Sequence, residues 1–364
     1  MDAIDLFNSD EAALPKTRPN QVQSFRTYLI AIFDVFLKKV AALNGKDYLS
    51  VEISNHQKSI KDFCDAIISS VNKYDQGFPH EAYTEVANAV QSHINDIEAL
   101  LSIDDVSKTL QYIYRIRLGD GNPFKKGDLF HIPFQKRQLV TPRRYSIPGV
   151  PCLYFGGSLY VCWEELGRPD VNKIHMSLFR AAPKQDIKVL NFGYRPAVIA
   201  SMINAHPNQV SQKSPMSDFA VAQAVCWPLI AACSIRVKFS ESPFKPEYVV
   251  PQLVLQWLRT NRPYDGVRYF STHIEPYINA MAASNFAFPV QTTNDTGYCT
   301  TLSDKFHLTE PLSWQFSTLA PTAASPTPNV HFDLEVTKGV SRPYVGSDFE
   351  TKQSMLAQID CTRI

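Results

Sequence analysis

The sequence predicts an α+β protein in three parts. A small antiparallel helical module covers 1–105, a mixed-sheet domain covers 106–318, and a C-terminal extension behind a Pro-rich connector covers 319–364. Three observations predict this. Apolar residues between 21 and 101 recur every three or four positions, the period of an amphipathic helix. From Gln111 onward they alternate or gather in short runs between Pro and Gly, which is strand texture. Helical stretches then fall between those runs, so strands and helices share one domain.

The elements follow in order. Residues 1–18 read as a loose tail. In 21–44, Val22, Phe25, Leu29, Phe33, Phe36, Leu37 and Val40 line one helix face, and Asn44-Gly45 stops it. A second helix follows Ser54-Asn55 and carries Ile60, Phe63, Ile67 and Val71. A third follows Pro79, with Tyr83, Val86, Val90, Ile94, Ile97 and Leu101. These stripes make a core for a helical module. A stripe turned outward would make a homo-oligomer through these helices. In "QYIYRIRL" (111–118), Tyr112 and Tyr114 take one strand face and Arg115 and Arg117 the other. Further strands are expected in "VPCLYFGG", "DIKVLNF", "SIRVKF" and "GVRYFS". Helices are expected from Ser158 and across 197–204, 220–232 and 251–259. "TLAPTAASPTPN" (318–329) reads as the connector, followed by a strand in "FDLEV" and a terminal helix in "FETKQSMLAQI".

Charge and cysteine usage exclude several classes. With 36 basic and 35 acidic residues the net charge is +1, so no field is available to hold nucleic acid or an anionic membrane. The acidic start lacks a leader's apolar run, and the apolar stretch 28–40 is too short to span a bilayer and contains Asp34. Seven cysteines at 64, 152, 162, 226, 233, 299 and 361 form no CxxC pair, and the nine histidines form no HExxH. That pattern predicts reduced thiols in a cytoplasm and no metal site. No Gly-rich phosphate loop is present.

One stretch stands apart: "RRYSIPGVPCLYFGGSLYVCWEEL", residues 143–166. Pro148, Gly149 and Pro151 turn the chain after Arg144. A short strand carrying Tyr154 ends at Gly156-Gly157. Ser158 caps a helix that ends in Glu164-Glu165. Adjacent glutamates leave a helix about 100° apart, so only one can face a given cleft. A second run, 244–273, ends in a turn at Tyr264-Asp265-Gly266, a strand "VRYF" and Ser271. Each residue also has a plain structural reading. Arg144 could hold a nearby carboxylate or carbonyl, Tyr154 could be core, and Ser271 could cap a strand end. The losing glutamate would sit on a solvated helix face.

The first run resembles the RES family, named for an arginine, a glutamate and a serine. Arg144, Pro148-Gly149, Pro151 and Tyr154 match its pattern without gaps, Glu165 falls at the glutamate and Ser271 at the serine. The strand "YRIR" resembles the family's first strand, which supplies a further arginine. The resemblance covers about 112–273 and leaves the N-terminal helices out. It implies a fold related to ADP-ribosyltransferases and cleavage of NAD at the nicotinamide–ribose bond, in bacterial toxins of toxin–antitoxin pairs. Glu165, Arg144 and Ser271 are then the catalytic set, with Arg115, Arg117, Tyr154 and Tyr145 binding the substrate. Of the two strand arginines, Arg115, the residue after the tyrosine, is favoured. NAD is a substrate here, no cofactor is implied, and an antitoxin or immunity protein is the implied partner. The residue types suit the chemistry. Arginine clamps a pyrophosphate through two parallel charge-assisted bonds, and tyrosine offers a face to nicotinamide. A carboxylate beside the ribose carbon stabilises its developing positive charge. Water, phosphate and a protein side chain remain open as acceptors. The rival readings are an ADP-ribosyltransferase acting on a protein and a non-enzymatic binding protein that keeps the fold.

Overall fold

In the computed structural model the described residues are 1–19, 24–100, 110–119, 122–261, 264–274, 282–318, 333–337 and 339–364. The chain divides into two units, each built from separate stretches of sequence. The helices and sheet together give the α+β fold.

The first unit comprises Met1–Asp104, Arg143–Tyr145 and Leu190–Pro263. The stretch 1–18, expected as a loose tail, instead carries the helix Ala3–Asn8 with Leu6 and Phe7 buried, while the next helices form where the apolar period requires. The Phe25–Ala41 helix starts at Ser24, whose hydroxyl accepts the Thr27 N–H at 3.1 Å. Phe25, Leu29, Phe33, Phe36 and Val40 are buried, as are Ile60, Phe63, Ile67 and Val71 on the Gln57–Asp75 helix. Leu37 and Tyr83 are only half-buried, and Val22 and Leu101 lie outside the described residues. The helices Pro79–Ser92 and Ile94–Ala99 replace the single third helix.

The helices Pro196–Ala205, Pro215–Val225, Trp227–Ser234 and Val249–Asn261 also belong to this unit. The helix expected across 220–232 is thus two, bent by 59°. Pro228 causes the break, because it lacks an N–H and its ring clashes with the carbonyl four residues back. Trp227 then stacks on Phe36 with ring centroids 3.8 Å apart, and its indole N–H donates to the Ala12 carbonyl at 2.8 Å. The expected strand in "SIRVKF" does not form. It finds only a single bridge, Arg236 with Thr17, while Ile235 is buried and Phe239 exposed. Among the described residues no single helix is long and apolar enough to cross a membrane.

The second unit comprises Asp105–Pro142, Ser146–Val189 and Tyr264–Ile364, so the C-terminal extension belongs with the sheet. Its strands are β1 (Ile113–Leu118), β2 (Cys152–Gly156), β3 (Ile174–Ala181), β4 (Val189–Phe192, which straddles the division), β5 (Gly266–Phe270), β6 (Ser284–Pro289), β7 (Phe306–Leu308) and β8 (Leu312–Ser313). Within the unit they run β5-β6-β2-β1-β3-β7, with β8 also on β3. A separate hairpin pairs β9 (Asp333–Thr337) with β10 (Val340–Pro343). Of the connector expected at 318–329, residues 319–329 lie outside the described residues.

Ile113, Leu153, Phe155, Phe179, Phe286, Phe288 and Phe306 pack on one sheet face. Tyr114, Ile116, Met176 and Leu178 pack on the other, against Leu159 and Cys162 of the Leu159–Glu165 helix and Leu356 of the Asp348–Ala357 helix. Strand β1 pairs along six residues with β3 but at only one position with β2, Tyr114 opposite Gly156. The second half of β1 therefore parts from β2.

Candidate active site

The Leu159–Glu165 helix is one short element with both ends fixed. Ser158 caps it, accepting the Val161 N–H at 3.2 Å while donating to the Ala282 carbonyl at 2.9 Å. At the other end Gly167 (φ +80°) donates to the Glu164 carbonyl at 2.9 Å and Arg168 to the Trp163 carbonyl at 3.1 Å. That bond pair is the Schellman arrangement, which needs glycine's left-handed backbone. It leaves Glu164 and Glu165 in the last turn, with different fates.

Glu164 points into the protein. Its carboxylate is 5 % exposed and holds Arg168 through two contacts, 2.8 and 3.0 Å. Arg168 is a non-glycine residue at φ +58°, and its guanidinium also lies 5.4 Å over the Trp163 ring.

Glu165 gathers polar groups from three other positions. Its Oε1 accepts the Ser271 hydroxyl at 2.6 Å and the Asn285 side-chain amide at 2.7 Å. Its Oε2 stands 3.8 Å from His273 Nε2. Ser271 and Asn285 are buried, whereas the Glu165 side chain is 29 % exposed and that of His273 57 %. Ser271 Oγ also accepts the His273 backbone N–H at 3.2 Å. One carboxylate oxygen thus accepts two neutral donors, and the other stands near the exposed His273 ring. Such an anion is held in orientation and keeps its charge available to a positive centre.

Tyr154 lies beside this cluster. In the β2–β6 register Tyr154 is opposite Ala287 and Gly156 opposite Asn285, so Tyr154 and Asn285 share a face. The tyrosine is half-buried, with its hydroxyl 2.8 Å from Ser146 Oγ.

Arg115 and Arg117 leave β1 on the side opposite Tyr114. Arg115 fills the gap where β1 and β2 part, donating from Nη1 to the Tyr154 carbonyl at 2.9 Å. Arg117 donates to the Asp128 carbonyl at 2.6 Å. Neither has a carboxylate partner among the described residues, and the Nε of Arg115 is buried without a hydrogen bond. Burial, then the charge of Arg117, pulls the Arg115 guanidinium down to about 10. The Cys162 thiol feels both sides of the arrangement. Burial pushes it up to about 12, with Arg115 opposing and Glu165 reinforcing.

Arg144 and Tyr145 belong to the first unit. Arg144 is buried, its Nη1 donating to the carbonyls of Cys233 and Ile235, both at 3.0 Å, with the Tyr248 ring 5.5 Å away. Tyr145 is buried near the Cys233 thiol, which burial pushes up to about 12. The geometry of Arg144 is that of a backbone clip.

Asn285 and His273 are the members of the cluster that the sequence did not single out. His273 stands two residues past Ser271, and that proximity was a usable signal. Asn285 carried none. Among the described residues no group of three histidines, cysteines or carboxylates is arranged to hold a metal ion.

Comparison with known proteins finds the chain 33% identical over 324 residues to the protein named "Putative toxin YopC" of Bacillus subtilis (strain 168). The match spans 86% of this chain and 71% of that protein. No family model matches the chain, and no solved structure matches it. The resemblance to the RES family therefore rests on the residues quoted above.

Proposed function

The chain belongs to the family of the Bacillus subtilis protein YopC, and on that premise we propose that it is a toxic effector whose sheet unit cleaves NAD at the nicotinamide–ribose bond. The observation that carries the reading is the Glu165 carboxylate, part-exposed, with Oε1 held by Ser271 and Asn285 and Oε2 near the His273 ring. Loss of nicotinamide leaves positive charge on the ribose carbon. A carboxylate already oriented toward it stabilises that charge without reorganising at the moment of reaction. Tyr154, on the same face as Asn285, supplies an aromatic surface for the departing ring. Arg115, cationic and without a carboxylate partner among the described residues, starts from the sheet face opposite Tyr154 and supplies the charge for the pyrophosphate through the gap where β1 and β2 part, with Arg117 on its own face. Arg144, occupied by two carbonyls, serves this reading as a structural residue.

The test is mass spectrometry of NAD incubated with the full chain, with and without inorganic phosphate. Release of nicotinamide is expected, with ADP-ribose marking water as acceptor and a phosphorylated ADP-ribose marking phosphate. Glu165→Gln should lower the rate by about 10²–10³. No nicotinamide from the parent protein, or full activity in Glu165→Gln, overturns the reading. Nicotinamide released only when a protein extract is added, with label on a protein, moves the assignment to a transferase.

A further inference from the structure

A helix of seven residues has no stability of its own, because nucleation consumes what so few hydrogen bonds return. Whatever holds the Leu159–Glu165 helix therefore decides where Glu165 stands. The C-terminal segment holds it at both ends. At the start, the Leu159 backbone N–H donates to Gln353 Oε1 at 2.8 Å, with both residues buried. This N–H is one of the donors a helix cannot satisfy internally. In the same turn the Glu335 backbone N–H donates to the Tyr160 hydroxyl at 3.2 Å, and past the helix end the Glu335 carboxylate stands 3.7 Å from Arg168, the partner of Glu164. Between the two, Tyr160 and Val161 pack with Leu334 and Tyr344, and Phe349 stands against Tyr160 and Trp163 with ring centroids 5.6 Å away from each.

We propose that the C-terminal segment 333–357 is part of the catalytic apparatus, with Gln353 a positioning residue that sets the place of Glu165 by anchoring the first turn of its helix. This rests on the NAD-cleaving reading given above. The physical case is leverage. Glu165 lies six residues from Leu159, about 9 Å along the axis at 1.5 Å per residue. A small tilt at the freed end displaces the carboxylate from Ser271 and Asn285. A misplacement of about 1 Å at a reacting group commonly costs up to 10²-fold in rate.

Two substitutions separate positioning from mere stability. Gln353→Met keeps length and apolar volume but removes the acceptor. Gln353→Glu keeps an acceptor oxygen and adds charge that a helix N-terminus favours. In the full chain, Gln353→Met should lower kcat for nicotinamide release by about tenfold, leaving KM for NAD within about twofold, and Gln353→Glu should recover most of the loss. Circular dichroism confirms folding at the assay temperature. Parental kcat in a folded Gln353→Met overturns the proposal, and so does a Gln353→Glu no better than Gln353→Met. Should Gln353→Met fail to fold, Glu335→Gln, at the half-exposed end, takes its place. A kcat lowered by about two- to threefold at unchanged KM supports positioning, and a parental kcat overturns it. If the parent protein releases no nicotinamide, the NAD reading fails while the positioning claim is still decided by ¹³C NMR of glutamate-labelled protein. The Glu165 carboxyl resonance, identified by its loss in Glu165→Gln, should move in Gln353→Met and return in Gln353→Glu. An unmoved resonance overturns the claim.

Discussion

His131 takes no part in the proposed chemistry, yet it ties stability to pH. It is fully buried, with Nδ1 2.8 Å from the Ile132 carbonyl and Nε2 accepting the Cys299 N–H at 2.8 Å. The second bond requires the neutral ring, since a protonated ring has no acceptor left. Burial above all, with Arg115 adding to it, pulls its pKa from 6.5 to about 4, against the Ile132 bond. The unfolded chain binds this proton below about 6.5 and the folded chain only below about 4. Stability is therefore complete above pH 6.5 and falls as pH drops toward 4, by on the order of 3 kcal/mol. Urea unfolding at pH 7 and pH 4.5 should show that loss, and His131→Gln should flatten it. An equal pH slope in the variant shows that other groups carry the effect. The two glutamates separate in the same spirit. Glu164→Gln should lower the midpoint of thermal unfolding by an amount equivalent to about 1 kcal/mol, because Arg168 is one-third exposed and rehydrates, and should leave turnover within a few-fold of the parent. Loss of turnover there with a normal unfolding midpoint would exchange the roles of the pair.

Gly156 shows how one element sets the place of the next. A Cβ there would stand 2.7 Å from Cys162 Sγ and 3.0 Å from the Ser158 carbonyl, both belonging to the helix that ends in Glu165 and its cap. The strand can pass this close to the helix only without a side chain. Gly156→Ala should therefore push the helix off the sheet, costing stability of about 1–3 kcal/mol and most of the turnover. Adding Cys162→Ala removes the nearer clash and should return part of both, as a double-mutant cycle would record; strict additivity of the two changes would show that the thiol is not the obstacle. Much at this scale was legible. Ser158 announces the helix start, and the periodicity of 25–40 and 60–71 gives helices with the expected buried faces. The short apolar run between Pro and Gly in "VPCLYFGG" gives β2. Other elements were not. β3, "IHMSLFRA", and β6, "SNFAFP", are buried on both faces, so they show no alternation to read. That hid Asn285, whose meeting with Glu165 depends on the β2–β6 register. Glu165 and Ser271 could be named because the quoted motif fixes them in order. Arg144 could be named too, but only the tertiary structure shows which carbonyls hold it.

At the scale of the molecule, neither unit is a continuous stretch of chain. The sequence suggests a module ending near 105 that could be cut away, because the period changes there and every motif residue comes later. The first unit, however, takes Leu190–Pro263 as well as Met1–Asp104. The apolar helices Pro215–Val225 and Trp227–Ser234 are buried, and much of what covers them comes from the N-terminal segment. Trp227 illustrates the dependence. Its ring lies flat on Phe36 at 3.8 Å and edge-on to Phe33 at 6.2 Å, and its indole N–H ends on the Ala12 carbonyl. Arg18 similarly reaches the buried Glu247 carboxylate at 3.2 Å. Removing 1–104 would expose Trp227 and its neighbours and leave a buried-type carboxylate without its cation. Losing Phe36 contacts alone, as in Phe36→Ala, should cost about 3–5 kcal/mol, a large share of the stability of a typical domain. A chain starting at residue 105 should therefore be aggregated or unfolded and release no nicotinamide. Co-expressed with a 1–104 fragment it should regain solubility, because the missing surface is supplied without a covalent link. Size-exclusion chromatography and tryptophan fluorescence read both outcomes. A monomeric 105–364 fragment with parental emission and activity would show that the N-terminal helices are dispensable to the fold, contrary to the packing of Trp227.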